Sequence, residues 1–172
     1  MQWRRLVVCV AIPALLPVIV GAATRATAET GEPSTATCTA YFRDTISPPG
    51  VTLAPTSFTL STGGETGVID CIGSVQGAPV TGPGQIGDDG SATGTCVSGS
   101  GMSKLSMTIP TTKSLNTKVT VGPFPISYLA GTIFRSNDAF PGVATFVPTK
   151  GTCLPGDPIT QIAVSVQGTL NT

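Results

Sequence analysis

The sequence predicts an all-β fold: a single-domain antiparallel β-sandwich or β-barrel of about nine short strands, with two disulfides. Glycine and proline, at 21 and 15 of 172 residues, interrupt the chain so often that few stretches can support three helical turns. The longest uninterrupted stretches, residues 34–47 and 111–121, are rich in threonine or β-branched residues, which favour strands. An even number of cysteines follows an export leader, as is typical of disulfide-bonded domains.

Strand candidates recur along the chain and are separated by turn signals. Residues Ile162, Val164 and Val166 alternate with polar residues, as expected of antiparallel sheets with one solvated face. The turn signals are Pro48-Pro49-Gly50, Gly63-Gly64, Asp89-Gly90 and Pro155-Gly156. In chain order, the strand candidates cover residues 36–43, 57–60, 66–75, 91–97, 102–109, 118–126, 128–135, 143–147 and 160–170.

The first 28 residues have the profile of a signal peptide. The pair Arg4-Arg5 precedes an uncharged, mostly apolar stretch at residues 6–23, and Ala26-Thr27-Ala28 matches the A-x-A cleavage pattern. We therefore predict cleavage after Ala28, which leaves residues 29–172 as one secreted all-β domain. A cut near Ala22 or Ala23 is one alternative. A retained membrane anchor is another, since the apolar stretch is at the lower limit for spanning a bilayer.

Four cysteines remain beyond the leader and predict two disulfides in an oxidising compartment: Cys38, Cys71, Cys96 and Cys153. Spacing alone leaves three connectivities open. We favour Cys38 with Cys71, because both fall inside strand-like runs, and Cys96 with Cys153, because each follows a Gly-Thr step. A zinc site is the alternative, but without histidine it would need all four thiolates, and no C-x-x-C pair is present.

The charge pattern argues against nucleic-acid binding. Residues 29–172 carry six basic and nine acidic side chains, for a net charge of −3, and the basic ones are scattered singly. A nucleic-acid binder needs a clustered basic face. The sequence therefore predicts an unknown extracellular ligand or protein as the partner, with no nucleic acid and no membrane contact once the leader is removed.

Most catalytic machinery is eliminated by residue type. The chain has no histidine, so Ser-His-Asp and Cys-His sites are excluded, and no lysine follows a serine at S-x-x-K spacing. Catalysis by carboxyl groups remains open. The candidate side chains are Glu65, Asp70, Asp88, Asp89, Asp138 and Asp157. Asp70 is the candidate carboxylate, because it lies inside an apolar strand rather than beside a turn residue, although its face could equally be the solvent face.

A glycine-rich stretch at residues 82–101 is the other candidate ligand region. It has no P-loop lysine, and its Asp88-Asp89 pair lacks the alternating spacing that a calcium loop needs. We predict a plain hairpin connection with a solvated turn at the two aspartates. No metal ion or cofactor is predicted at this stretch or elsewhere.

Glycine, proline and cysteine positions carry a resemblance to a known group of proteins. The chain is similar to small secreted β-rich proteins of actinobacteria, a group for which we know of no assigned activity. The resemblance implies a fold and no catalytic residue. It is carried from about Thr66 onward by Gly77-Ala78-Pro79-Val80-Thr81-Gly82-Pro83-Gly84, Gly94-Thr95-Cys96, Thr108-Ile109-Pro110-Thr111, Gly122-Pro123-Phe124 and Lys150-Gly151-Thr152-Cys153.

Two functions follow as hypotheses. The first is a secreted or cell-envelope-associated non-catalytic β-domain with a binding or structural role. The alternative is a small metal-independent hydrolase or isomerase that uses carboxylates in a barrel mouth. A deep pocket with two converging acids would favour the enzyme, and a filled interior would favour binding or structure.

Overall fold

Ten strands, all paired antiparallel, form the computed structural model, which describes residues 33–47, 49–135 and 138–171. These residues belong to one unit, Gly31–Thr172, and no helix occurs among them. The predicted leader and its cleavage site lie outside the described residues. The strands are β1 (Thr35–Ser47), β2 (Thr56–Ser61), β3 (Gly67–Val75), β4 (Ala78–Pro79), β5 (Gly84–Gly94), β6 (Ser98–Ile109), β7 (Thr117–Leu129), β8 (Thr132–Arg135), β9 (Gly142–Lys150) and β10 (Gln161–Leu170).

The strands form one sheet that closes on itself. Hydrogen-bonded neighbours run from β10 through β9, β8, β7, β6 and β5 to β2 and β1, and β1 pairs in turn with β10. The β1–β10 ladder is long, from Ala36 opposite Leu170 to Thr45 opposite Gln161. Of the two predicted architectures, the closed ladder is therefore the barrel. The closure is short at β8, which pairs with β7 only over residues 126–129 and with β9 only at Thr132 and Ile133.

Strands β2 and β3 occupy a single position in this ring, end to end, between β1 and β5. Tyr41 pairs with Val68 and Thr45 with Ser61, so three residues of β1 lie opposite the six residues 62–67. The extra residues form what we call the interruption loop, residues 62–66. Gly63 and Gly64 lie in this loop with φ of +70° and +117°, conformations that glycine adopts without strain.

Alternating side chains of each strand fill the interior. In β1 every second residue is buried along the whole strand, which follows from the two-residue period of an extended chain. Apolar side chains pack one end of the interior completely, among them Ile69, Ile86, Met107 and Leu170. Each fully buried side chain of this size contributes about 1.5–3 kcal/mol relative to exposure.

The two disulfides confirm the favoured connectivity. Cys38 and Cys71 are register partners on β1 and β3, with Cα atoms 4.1 Å apart. Cys96 and Cys153 link the β5–β6 turn to the segment between β9 and β10, with Cα atoms 6.0 Å apart. One bridge therefore lies within the sheet, and the other fastens two connecting segments.

The glycine-rich stretch at residues 82–101 differs from the prediction. It is not a hairpin connection, because β5 and the start of β6 occupy most of it and only residues 95–97 connect them. The glycines allow close approach of neighbouring backbones: a Cβ on Gly87 would lie 2.5 Å from the carbonyl oxygen of Gly64, and one on Gly101 would lie 2.1 Å from that of Ser91. Glycine content was thus a sign of crowded strands and not of a turn.

Candidate functional site: a buried acid pair and an outer-wall groove

Two carboxyl groups meet on the inner wall of the barrel. Asp44 takes an inward position on β1, between Phe42 and Ile46, and is 1 % exposed. Asp88 comes from the middle of β5 and is 7 % exposed. The interruption loop contacts Asp88, whose backbone N–H donates a hydrogen bond to Thr62 Oγ1 at 3.1 Å. We call Asp44 and Asp88 the acid pair.

Burial raises the pKa of both members of the acid pair. Burial, followed by the charge of Asp88 and a side-chain hydrogen bond with it, raises the pKa of Asp44 to about 8. Burial also raises the pKa of Asp88 to about 6, against the opposing effect of the hydrogen bond that Ser103 Oγ donates to Asp88 Oδ1 at 2.6 Å. Asp44 therefore keeps its proton to higher pH than Asp88 does, as expected when two buried carboxyl groups are neighbours.

One cation faces the pair from the opposite wall. Arg135 on β8 interacts electrostatically with Asp88, and its guanidinium lies 5.2 Å from the centre of the Phe140 ring. Burial lowers the pKa of Arg135, and the charge of Asp88 opposes this effect. Among the described residues, Arg135 Nε and Nη2 and Asp44 Oδ1 have no hydrogen-bond partner. Buried hydrogen-bonding atoms therefore lack partners both at the acid pair and at Arg135.

Little space is left around these groups. The cavity that Asp44, Asp88 and Arg135 line has a volume of about 30 Å³, enough for one or two water molecules. An adjoining apolar chamber, lined by Phe58, Tyr128 and Phe146 among others, has about 40 Å³. Both volumes are far below the roughly 300–1,000 Å³ of typical ligand pockets. The interior is therefore filled, although it holds two converging acids.

A second candidate site lies on the outside, where four strands form a shallow concave wall. Their register sets two rows of outward side chains, two residues apart along each strand. The first row is Asp70, Thr39, Gln167 and Val143, on β3, β1, β10 and β9 in turn. The second row is Val68, Tyr41, Ser165 and Thr145 on the same strands. These eight residues define the outer-wall groove, an open hollow of about 490 Å³.

The groove exposes apolar surface beside polar groups. Tyr41 is 48 % exposed, Val68 57 % and Val143 63 %. The polar members are hydroxyls, one amide and the single carboxylate of Asp70, all of them exposed. A surface of this kind offers apolar contact and both hydrogen-bond donors and acceptors within one small area.

The predicted site residues are distributed between these two places and the turns. Asp70 lies in the groove on the solvent face, which was one of its two predicted faces. Asp157 lies in a turn and accepts a hydrogen bond from Thr152 Oγ1 at 2.6 Å. The solvated turn predicted at Asp88 and Asp89 is wrong, because both residues lie within β5, where Asp88 points inward and Asp89 outward.

Asp44 was missed altogether, although a signal for it was present. From Ala36 to Ile46, every second residue of β1 is apolar except Asp44, so the alternation places a carboxyl on the inner face. The sequence does not show that Asp44 lies close to Asp88. That proximity depends on how β1, β2 with β3, and β5 pair around the interruption loop.

No protein-family model, curated protein or solved structure matches this chain. Within the described residues, no helix is long and apolar enough to cross a membrane. The same part of the chain brings no three His, Cys, Asp or Glu side chains together in a group that could hold a metal ion.

Proposed function

We propose that this chain is an exported, disulfide-bonded β-domain that acts by binding rather than by catalysis, and that the outer-wall groove is its binding surface. The observation that carries the proposal is the contrast between the two sites. The acids lie in a filled interior, whereas the groove is open to solvent and exposes apolar and polar side chains over about 490 Å³. The resemblance to small secreted actinobacterial proteins stays a prediction, and a non-catalytic role would agree with it.

Export is supported by the leader and by the two disulfides, which form and persist in oxidising compartments. We expect the protein recovered from culture medium to have the intact mass of residues 29–172 less four hydrogens. Alkylation should add four thiol labels only after reduction. A full-length mass, retention in the membrane fraction or labelling without reduction would contradict export with two disulfides.

Catalysis by the acid pair is the second candidate function, and one observation favours it. Asp44 and Asp88 converge with separated pKa values of about 8 and about 6, which is the pattern of a general acid beside a general base. A substrate would have to come within hydrogen-bond reach of these groups. The side chains that fill the interior would first have to move, and this requirement makes binding at the groove the better-supported function.

The two candidates are distinguished by where small molecules bind. We expect a library of polar organic fragments, added to the ¹⁵N-labelled protein, to shift amide resonances of Tyr41, Asp70 and Gln167. The Tyr41→Ala variant should lose these shifts, whereas Phe134→Ala, which removes an aromatic side chain that is 55 % exposed on β8, should keep them. Shifts confined to Asp44, Asp88 and the apolar chamber would favour the enzyme instead.

A further inference from the structure

We propose that the polar cavity inside the barrel is a hydration site, which holds one or two ordered water molecules and links β8 to β1. This inference is independent of the binding role proposed for the groove. Asp44 from β1, Asp88 from β5 and Arg135 from β8 all line the cavity, whose volume is about 30 Å³. A water molecule needs roughly 10–15 Å³, so the cavity is large enough.

Unpartnered polar atoms around the cavity match the hydrogen bonds of water. Asp44 Oδ1 is an acceptor, Arg135 Nε and Nη2 are donors, and all three atoms are buried without a hydrogen-bond partner. Ordered water satisfies such groups in most protein interiors, and a buried water molecule typically makes about three hydrogen bonds. Water can donate to Asp44 Oδ1 while it accepts from Arg135, so one molecule serves both sides of the cavity.

The charges around the cavity favour a neutral occupant. Burial raises the pKa of Asp44 to about 8, so this carboxyl is uncharged at pH 7, whereas Asp88, with a pKa of about 6, is negative. The guanidinium of Arg135 faces Asp88 and balances its charge. An ion of either sign would bring an uncompensated charge into a buried site, which is unfavourable. Water therefore fits the charge of the cavity as well as its volume.

The adjoining apolar chamber is a contrasting case in the same interior. It is slightly larger, at about 40 Å³, but mainly apolar side chains line it. The phenol of Tyr128 donates a hydrogen bond to the carbonyl oxygen of Thr95 at 2.6 Å. Within the described residues, none of the buried side-chain atoms without a partner belongs to the lining of this chamber. Apolar cavities stay dry, so water is expected beside the acid pair and not in the chamber.

The water site has a consequence for β8, the strand with the shortest pairing around the ring. Because β8 pairs with β9 only at Thr132 and Ile133, Arg135 at its end is paired on the β7 side alone. A water molecule between Arg135 and Asp44 fastens this end across the interior to β1. Loss of the water should therefore loosen the end of β8.

The test counts long-lived internal water molecules in the exported protein by magnetic relaxation dispersion of the water signal. Nuclear Overhauser effects between water and the methyl groups of Leu105 and Val164 locate them, because both side chains line the cavity and are 2 % exposed. We expect these contacts in the unaltered protein. Asp44→Asn, which keeps the Oδ1 acceptor, should retain them.

Asp44→Leu removes the acceptor and fills the cavity, so we expect the count to fall by one or two water molecules. Amide exchange at residues 132–135 should then become about tenfold faster. Asp70→Leu, the same change at an exposed position, should alter neither quantity. If Asp44→Leu does not fold, Arg135→Met takes its place, because it removes both unpartnered donors and should lower the count in the same way.

Three results would overturn the hydration site. They are the absence of water contacts to Leu105 and Val164, an unchanged count in Asp44→Leu or Arg135→Met, and loss of the water in Asp44→Asn. If the water is lost but amide exchange at residues 132–135 stays the same, the water does not link β8 to β1 and that part of the proposal is wrong.

Discussion

The folded protein should lose stability as the pH rises from about 4 to about 8, and Asp44→Asn should remove most of that loss. The pKa of Asp44 is about 8 in the folded state against 3.8 for the free side chain, and that of Asp88 is about 6. Between pH 3.8 and about pH 8 the folded protein therefore holds protons that the unfolded chain has released. Folding then takes up protons, so the free energy of unfolding is highest near pH 4 and falls as the pH rises.

The expected effect is large because Asp44 is 1 % exposed and solvent screening is weak there. Each proton held only in the folded state changes stability by about 1.4 kcal/mol per pH unit. Over this range Asp44 alone is worth on the order of 5 kcal/mol, and Asp88 adds to the slope below pH 6. Most domains have a total stability of about 5–15 kcal/mol, so the change amounts to a substantial share of it.

The measurement is urea unfolding at intervals between pH 4 and pH 9. In Asp44→Asn the amide donates a hydrogen bond to Asp88 as the protonated acid does, but it does not titrate. We expect the variant to be the more stable protein at pH 8 and to show only the smaller slope of Asp88. Asp70→Asn, at an exposed carboxyl, should leave the original slope unchanged. A flat profile in the unaltered protein, or a full slope in Asp44→Asn, would show that the pKa of Asp44 is not raised in the folded state.

The fold was predictable from the sequence, whereas neither member of the acid pair was predicted as a site residue. The all-β class was predictable, because glycine, proline and β-branched residues exclude helices. The favoured disulfide pairing came from the strand-like runs around Cys38 and Cys71 and from the Gly-Thr steps before Cys96 and Cys153. The alternation of β1 also indicates the inward position of Asp44. Asp88 was misplaced because Gly84, Gly87 and Gly90 imitate a turn, whereas in the folded chain they let backbones pack closely.

The groove illustrates what sequence cannot supply. Asp70, Tyr41 and Gln167 lie on different strands and meet only because β3 and β10 both pair with β1 in a particular register. The interruption loop sets part of that register, since it shifts β3 by three residues relative to β2 along β1. A change of one residue in the pairing would turn each of these side chains to the other face of the sheet.

Removal of the two disulfides should have unequal effects, with Cys38→Ala/Cys71→Ala the more damaging. Their sequence separations are 33 and 57 residues, for which chain entropy gives about 4 kcal/mol each, with the longer loop favoured by about 0.5 kcal/mol. Loop length alone would thus make the Cys96–Cys153 bridge slightly more important. Burial reverses this order, because Cys38 is 0 % and Cys71 5 % exposed.

Alanine at both buried positions leaves a cavity where two sulfur atoms were packed. This cavity lowers the free energy of unfolding by about a further 1 kcal/mol per sulfur atom. We therefore expect urea unfolding to show a loss of about 6 kcal/mol for Cys38→Ala/Cys71→Ala and about 4 kcal/mol for Cys96→Ala/Cys153→Ala. Partial reduction should open the Cys96–Cys153 bridge first, since its sulfurs lie in half-buried residues that a thiol reaches more easily. Equal losses, or earlier reduction of Cys38–Cys71, would mean that loop closure outweighs core packing in this barrel.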